Sequence, residues 1–149
     1  MNEVSVQSLT PEILVSAVFK QLTDGHVEDA AASFAPCFRF RDHGIGLEFS
    51  DKRRLAEFFQ KANELYPNRS LQTEKLLVIG DHVVSQWTLK VTISEPFYAG
   101  LTRRIPISIA GVSIVRCENG QITDWVEYYD GLSARRTALV GHFTEWIEF

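Results

Sequence analysis

Residues 111–131 read GVSIVRCENGQITDWVEYYDG, and this stretch predicts a β-hairpin. The Asn-Gly pair at 119–120 is the strongest short hairpin signal, and apolar side chains flank it on both sides. Because successive side chains of a strand alternate between faces, Trp125, Glu127 and Tyr129 share one face. A carboxylate between two aromatic side chains is either solvated at the rim of a sheet or held in a pocket.

The composition is that of one ordinary globular domain spanning residues 1–149. Of its 149 residues, 45% are hydrophobic and 23% are charged. A chain of this length and composition can bury a sizeable core. The net charge of −4, without any Lys/Arg run, argues against nucleic-acid binding. Apolar stretches fall far short of the ~18 residues of a membrane span, and no signal peptide is visible. We therefore expect a cytoplasmic protein that binds neither nucleic acid nor membrane.

The cysteine and histidine patterns do not suggest a metal centre. Cys37 and Cys117 are too few and too far apart for a metal or redox motif, so both are expected to be small, reduced core residues. The histidines show neither HxH nor HExxH spacing. We expect no metal and no other cofactor.

Three helices are predicted in the first half of the chain. The first runs between Thr10, an N-cap that precedes a proline, and Gly25. A short second helix over residues 27–35 would be stopped by Pro36. The third covers residues 52–66 and is capped by the aspartate before it.

The second half of the chain is predicted to be mostly β-strand. A first strand at residues 37–42 alternates Phe with Arg, and further β-rich runs follow the third helix, at 70–80, 82–94, 103–118 and 121–130. A tail at 132–149 has helix-compatible spacing. This order predicts an α+β fold with the helices on one face of a curved, mostly antiparallel sheet. Both faces of the late strands carry apolar residues, so a second subunit is expected to cover the face opposite the helices.

Two motifs resemble the nuclear transport factor 2-like superfamily, which includes SnoaL-like polyketide cyclases, ketosteroid isomerases and limonene epoxide hydrolases. One is FAPCFRFRDHGIGLEFSDKRRLAEFF at 34–59, and the other is the hairpin at 111–130 with its W-x-[DE]-x-x-D ending. The resemblance covers nearly the whole chain up to about Gly131. It implies a cone-shaped fold with a deep apolar pocket between helices and sheet, and a dimer packed sheet to sheet.

Glu127 matches the acidic residue that acts as general acid or base in SnoaL-like cyclases. A carboxyl group in an apolar pocket loses solvation of its charged form, so we expect a raised pKa that suits proton transfer. The alternative is a structural glutamate paired with Lys90, Arg103 or Arg104.

Asp42 matches the position of the general base of ketosteroid isomerases, and His43 follows it as a candidate partner. The alternative for Asp42 is turn chemistry, in which its side chain satisfies loop amides. The positions that correspond to the isomerases' two oxyanion donors hold Val18 and either Gly111 or Val112. None of these has a side-chain donor, which speaks against the isomerase reaction itself.

The candidate functional residues fall into two groups. Glu127, Asp42 and His43 are predicted to be catalytic. The predicted ligand-binding residues are Tyr129, Trp125, Trp87, Phe40, Phe58, Val18, Gln86 and Tyr98.

These residues favour a small-molecule enzyme that carries out cofactor-free cyclisation, isomerisation or hydration of an apolar substrate. The alternative is a non-catalytic module of the same fold for apolar-ligand binding or dimerisation. A cavity of about 300 Å³ or more would favour an enzyme or a ligand-binding module, and a filled cone would favour a structural dimer.

Overall fold

The computed structural model describes residues 9–96 and 98–131, apart from the side chains at positions 93, 95, 96 and 98. The predicted helical tail at 132–149 lies outside the described residues. The helices are α1 (Pro11–Asp24), α2 (Val27–Ala32) and α3 (Lys52–Leu65), and a short 3-10 turn covers Tyr98–Gly100. The strands are β1 (Phe34–Asp42), β2 (Leu47–Phe49), β3 (Ser70–Ile79), β4 (His82–Pro96), β5 (Thr102–Glu118) and β6 (Gln121–Tyr129).

Local capping signals determine where α1 begins and ends and where α3 begins, as predicted. Thr10 Oγ1 accepts a hydrogen bond from the backbone N–H of Ile13 at 3.3 Å, and Gly25 ends α1 in the left-handed conformation at φ 80°. Asp51 Oδ1 accepts from the backbone N–H of Arg54 at 2.9 Å and caps α3. These bonds satisfy amides and carbonyls that a helix end leaves without partners.

Three features of the region after α1 differ from the prediction. The second helix ends at Ala32, and Pro36 lies inside β1 instead of stopping a helix. The ladder between β1 and β6 is irregular between Phe34 and Arg39, so the missing N–H of Pro36 costs no regular ladder bond there. The short strand β2 was not predicted because it has only three residues.

The six strands form one sheet in the order β2-β1-β6-β5-β4-β3, in which β1 and β6 are parallel and all other neighbours antiparallel. Asn119 and Gly120 have φ angles of 51° and 72°, as the predicted hairpin turn requires. The helices pack on one face of this sheet. The predicted α+β fold is therefore confirmed. None of the described helices is long and apolar enough to cross a membrane.

An aromatic core joins the helices to the inner face of the sheet. The rings of Phe40 on β1 and Trp125 on β6 are stacked at 6.2 Å, and Phe19 of α1 packs edge-on against Trp125 at 5.3 Å. Cys117 belongs to this core, as expected, whereas Cys37 is exposed and the prediction for it is wrong. Cys37 lies in the irregular part of the β1–β6 ladder, where simple alternation does not assign a face.

Candidate functional site

A cavity of about 160 Å³ lies between α1, α3 and the inner face of the sheet. Most of its lining is apolar or aromatic, and its polar side chains include Asp42, Glu127, Tyr129 and Arg69. The volume is below the usual range of drug-sized ligand sites, about 300–1,000 Å³. It is nevertheless similar to the ~150 Å³ apolar cavity that accommodates benzene. The cone is thus not filled by its own side chains, and its size suits a small ring.

Four polar residues form a row across the otherwise apolar inner face. Asp42 on β1 is paired in register with Glu127 on β6. Glu127 is in turn paired with Ser113 on β5, and Ser113 is paired with Ser85 on β4. Register partners project from the same face of a sheet, so all four side chains point to the helix side. The parallel pairing of β1 with β6 is what places the two carboxyl groups on neighbouring strands.

Asp42 is 3% exposed and is held from two sides. Its Oδ2 accepts a hydrogen bond from the Tyr129 hydroxyl at 2.9 Å, and its Oδ1 accepts from the backbone N–H of Ile45 at 3.1 Å. Burial raises the pKa of Asp42, while these two hydrogen bonds oppose the rise. The two alternatives for Asp42, a pocket residue and a residue that satisfies loop amides, therefore hold together, since its side chain accepts from a loop amide and also lines the cavity.

Glu127 is half-buried, and its Oε1 accepts two hydrogen bonds. Trp125 Nε1 donates at 2.9 Å and Ser113 Oγ donates at 3.4 Å, while Trp87 Nε1 donates to Ser113 Oγ at 2.9 Å. Burial, followed by the negative charge of Asp42, raises the pKa of Glu127 to about 8, and the two hydrogen bonds limit the rise. The protonated acid and the carboxylate are therefore both accessible near neutral pH.

The alternative in which Glu127 pairs with a basic side chain is not found among the described residues. The ion pairs of the described part of the chain do not include it. Lys90 is exposed and alternates with Leu89 and Val91, so it lies on the opposite face of the sheet. Glu127 therefore keeps its acidity tuned by burial and by Asp42 rather than by a cation.

Two glycines let the backbone approach the aromatic walls of the cavity closely. A Cβ atom at Gly44 would lie 2.1 Å from the Tyr129 ring, and one at Gly111 would lie 2.3 Å from the Trp87 ring. Any larger residue at either position would displace a ring that lines the cavity. The side-chain-free Gly111 thus makes room for the indole that supports Ser113.

The structure brings six of the predicted residues together in the cavity wall. These are Asp42, Glu127, Tyr129, Trp87, Phe40 and Phe58. Two others lie behind the wall, since Val18 and Trp125 are 0% and 1% exposed and belong to the core. The structure therefore does not place these two in the cavity wall, although Trp125 reaches the site through its hydrogen bond to Glu127.

Gln86 and His43 lie away from the cavity, and their predicted places in it are wrong. Gln86 is exposed and alternates with the cavity residue Trp87, so it projects from the opposite face of the sheet. His43 is exposed and its ring stacks on Tyr128 at 4.8 Å, because it alternates with the inward-facing Asp42. Tyr98 begins the 3-10 turn, and its side chain lies outside the described part of the chain.

Sequence reasoning missed several polar residues of the site, among them Ser113 and Arg69. Ser113 could have been found, because counting back from the Asn-Gly turn places it near Glu127 on the neighbouring strand. Arg69, which lines the cavity between α3 and β3, follows a Pro-Asn helix break and has no periodic pattern that would indicate its direction. Within 9–96 and 98–131, no cluster of three or more His, Cys, Asp or Glu side chains could hold a metal ion.

Solved structures of several bacterial proteins are similar to this chain. A protein of Catenulispora acidiphila with a ketosteroid isomerase-like fold, solved with trimethylamine, is 20% identical, with 89% of this chain and 96% of that chain covered and a TM-score of 0.74. A candidate SnoaL-like polyketide cyclase from Shewanella putrefaciens is 15% identical, with 85% and 84% covered and a TM-score of 0.72. AclR, a candidate hydroxylase from Streptomyces galilaeus, is 14% identical, with 88% and 87% covered and a TM-score of 0.69.

These similarities establish a shared fold only. Sequence identities this low carry no information about the substrate. Comparison with curated protein sequences gives no match. The family model described as SnoaL-like domain matches residues 15–125, which is most of the chain and includes α2, α3 and β1 to β5 in full. The chain therefore belongs to the SnoaL-like domain family.

Proposed function

We propose that this protein is a cofactor-free, cytoplasmic enzyme that transfers protons in an isomerisation, cyclisation or hydration of a small apolar molecule. One observation carries the proposal. Asp42 and Glu127 are register partners on neighbouring strands, both line an apolar cavity, and neither has an ion pair among the described residues. Two carboxyl groups in such a place cannot both ionise easily, so they favour a state with one proton between them.

The hydrogen bonds assign different roles to the two carboxyl groups. Asp42 receives bonds from Tyr129 and Ile45, both of which stabilise its charged form. Glu127, with a pKa near 8, holds the proton at neutral pH. Asp42 would therefore remove a proton from substrate carbon as the base. Glu127 would donate its proton to the oxygen on which negative charge develops.

The apolar walls support this division of labour. Trp87 and Tyr129 lie next to the carboxyl groups with ring centroids 5.9 Å apart, and Phe40 and Phe58 form another part of the lining. A ring-shaped substrate against these walls would displace water from the carboxylate, which strengthens it as a base.

Binding without catalysis is the second candidate function. Val18, Gly111 and Val112 offer no side-chain donor to a developing oxyanion, and the Tyr129 hydroxyl already donates to Asp42. The cavity of about 160 Å³ also suits a small ligand better than a polycyclic one. In this case the carboxyl groups would only orient the ligand.

Base-catalysed ring opening of 5-nitrobenzisoxazole separates the two candidates. A carboxylate removes the carbon-bound proton of this small aromatic probe, its N–O bond breaks, and a coloured phenolate is released. We expect the protein to accelerate the reaction over buffer, and Asp42→Asn to lower the rate constant by about 10²–10⁴-fold. Glu127→Gln should also slow it, because the acid that would donate its proton to the developing phenolate oxygen is lost.

The matched control is Asp124→Asn, which changes a carboxylate of β6 on the opposite face of the sheet. Its rate should stay within about twofold of the unchanged protein. If the probe binds but Asp42→Asn reacts as fast as the unchanged protein, the binding-only function is favoured.

A homodimer packed through the outer face of the sheet is also part of the proposal. Val126 is 5% exposed there, Tyr128 remains 49% exposed, and Val112 and Ile114 are half-buried. A dimer on this face should bury more than ~1,000 Å² in total. Light scattering should give twice the 16.9 kDa chain mass at micromolar concentration, and a monomer would contradict the dimer.

A further inference from the structure

Arg69 places a positive charge in the wall of the cavity. It lies in the connection between α3 and β3, where the last turn of α1 contributes Leu22 and Thr23 and the C-cap of α3 contributes Tyr66. Strands β3 and β1 are separated by three strands in the sheet. Arg69 and Asp42 are thus on opposite sides of the cavity.

The contacts of Arg69 leave most of its donors available. Its Nη2 donates a hydrogen bond to the backbone carbonyl of Leu22, one of the carbonyls that the end of α1 leaves without a helical partner. A guanidinium has five N–H donors in a planar fork, so one carbonyl uses only a small part of it. Capping of α1 therefore does not account for the whole group.

Arg69 also differs from the paired arginines of the described chain. Four others each contact a carboxylate: Arg39 with Glu48, Arg41 with Asp124, Arg53 with Glu57 and Arg116 with Asp81. Arg69 makes no ion pair with any described carboxylate. It is half-buried, and desolvation lowers its pKa. A desolvated cation without an anionic partner is costly, and an anionic ligand group would remove that cost.

We propose that Arg69 forms an anion subsite, and that the ligand is a small apolar molecule carrying a carboxylate. The carboxylate accepts the guanidinium's free N–H groups, side by side where the fork allows. The apolar part lies over Leu71, Leu89 and Ile109, which line the cavity between Arg69 and the polar row. Repulsion from the charged Asp42 disfavours the reverse orientation. This inference rests on the proposed function for the use of the acidic side, and it adds the class of ligand.

The test is a binding comparison that requires no turnover. Cinnamate and cinnamamide have the same apolar part and differ in one charge, and calorimetry at pH 7 gives the affinity of the protein for each. We expect cinnamate to bind at least about tenfold more tightly. Arg69→Gln should abolish this preference, whereas Arg69→Lys should keep part of it. The matched control, Arg53→Gln, removes an exposed arginine of α3 that pairs with Glu57 and should keep the full preference.

Equal affinity of the unchanged protein for cinnamate and cinnamamide would overturn the subsite. So would a full preference in a folded Arg69→Gln variant, which would leave Arg69 as a helix cap only. If Arg69→Gln does not fold, the unchanged protein and Arg69→Lys still decide, since a subsite requires a preference in the first and a reduced one in the second. A carboxylate preference without ring opening of 5-nitrobenzisoxazole would contradict the proposed function alone, and the converse result would contradict the subsite alone.

Discussion

The two faces of the β1–β6 strand pair treat acidic residues in opposite ways. On the outer face, Asp124 accepts two hydrogen bonds from Nη2 of Arg41, at 2.8 and 3.0 Å. On the inner face, Glu127 lies beside a second carboxylate, Asp42, and has no cation among the described residues. The residues alternate along the same two strands, so the difference arises from which face each one occupies.

This difference indicates that the inner face is not arranged for stability. The side chains of Arg41 and Asp124 remain 27% and 35% exposed. A partly exposed ion pair of this kind is common at protein surfaces and has a small effect on stability. A pair of carboxyl groups in an apolar cavity opposes folding whenever both are ionised. Perturbed acidic pairs in cavities are typical of functional sites.

The largest expected effect of removing an inner-face carboxyl group is on the pH dependence of the free energy of unfolding. The pKa of Glu127 rises from its ordinary value of 4.5 to about 8 on folding. The folded state therefore binds the proton more tightly, and stability decreases as the pH rises from about 4.5 to about 8. Glu127→Gln removes this loss. We therefore expect the free energy of unfolding of the variant, relative to that of the unchanged protein, to be about 2–4 kcal/mol higher at pH 8.5 than at pH 5.

Urea unfolding of both proteins at the two pH values measures this gain. Asp124→Asn is the outer-face control, and its stability relative to the unchanged protein should differ by less than about 1 kcal/mol between the two pH values. A Glu127→Gln variant whose stability follows pH in the same way as the unchanged protein would show that Glu127 is not buried with a raised pKa.

A smaller effect sharpens the contrast within the inner face itself. Burial is the first cause of the raised pKa of Glu127 and the charge of Asp42 is the second. Asp42→Asn keeps the shape and removes the charge, so the pKa of Glu127 should fall, and by less than burial has raised it. A carbon-13 NMR titration of the Glu127 carboxyl group measures the shift. An unchanged pKa would mean that the two groups do not interact.

The site could be predicted only in part. Alternation along β6 placed Glu127 on the same face as Trp125 and Tyr129, and the resemblance to the family singled out both Glu127 and Asp42. Arg69 escaped prediction because it lies in an irregular connection. Gln86 and His43 are each next in sequence to a cavity residue, Trp87 and Asp42, so the right segment was identified but side chains that point to the opposite side were included.

The sequence by itself determined the features that depend on neighbouring residues. The Thr10 cap, the Gly25 end of α1, the Asp51 cap and the Asn119–Gly120 turn all act within a few residues, so their signals are complete in the local sequence. Alternation likewise assigned the faces of regular strands. It did not for Cys37 and Pro36, where the ladder is irregular.

Only the tertiary structure decided that β1 lies parallel to β6. That pairing joins residues more than eighty positions apart, and nothing in either strand specifies the register at which they meet. It places Asp42 beside Glu127, whose raised pKa depends on this proximity and on burial by helices from elsewhere in the chain. The position of Arg69 across the cavity depends on the same packing, because its partner is a carbonyl of α1. The electrostatic environment of these three side chains is set by residues distant in sequence, so it cannot be read from the residues that flank each of them.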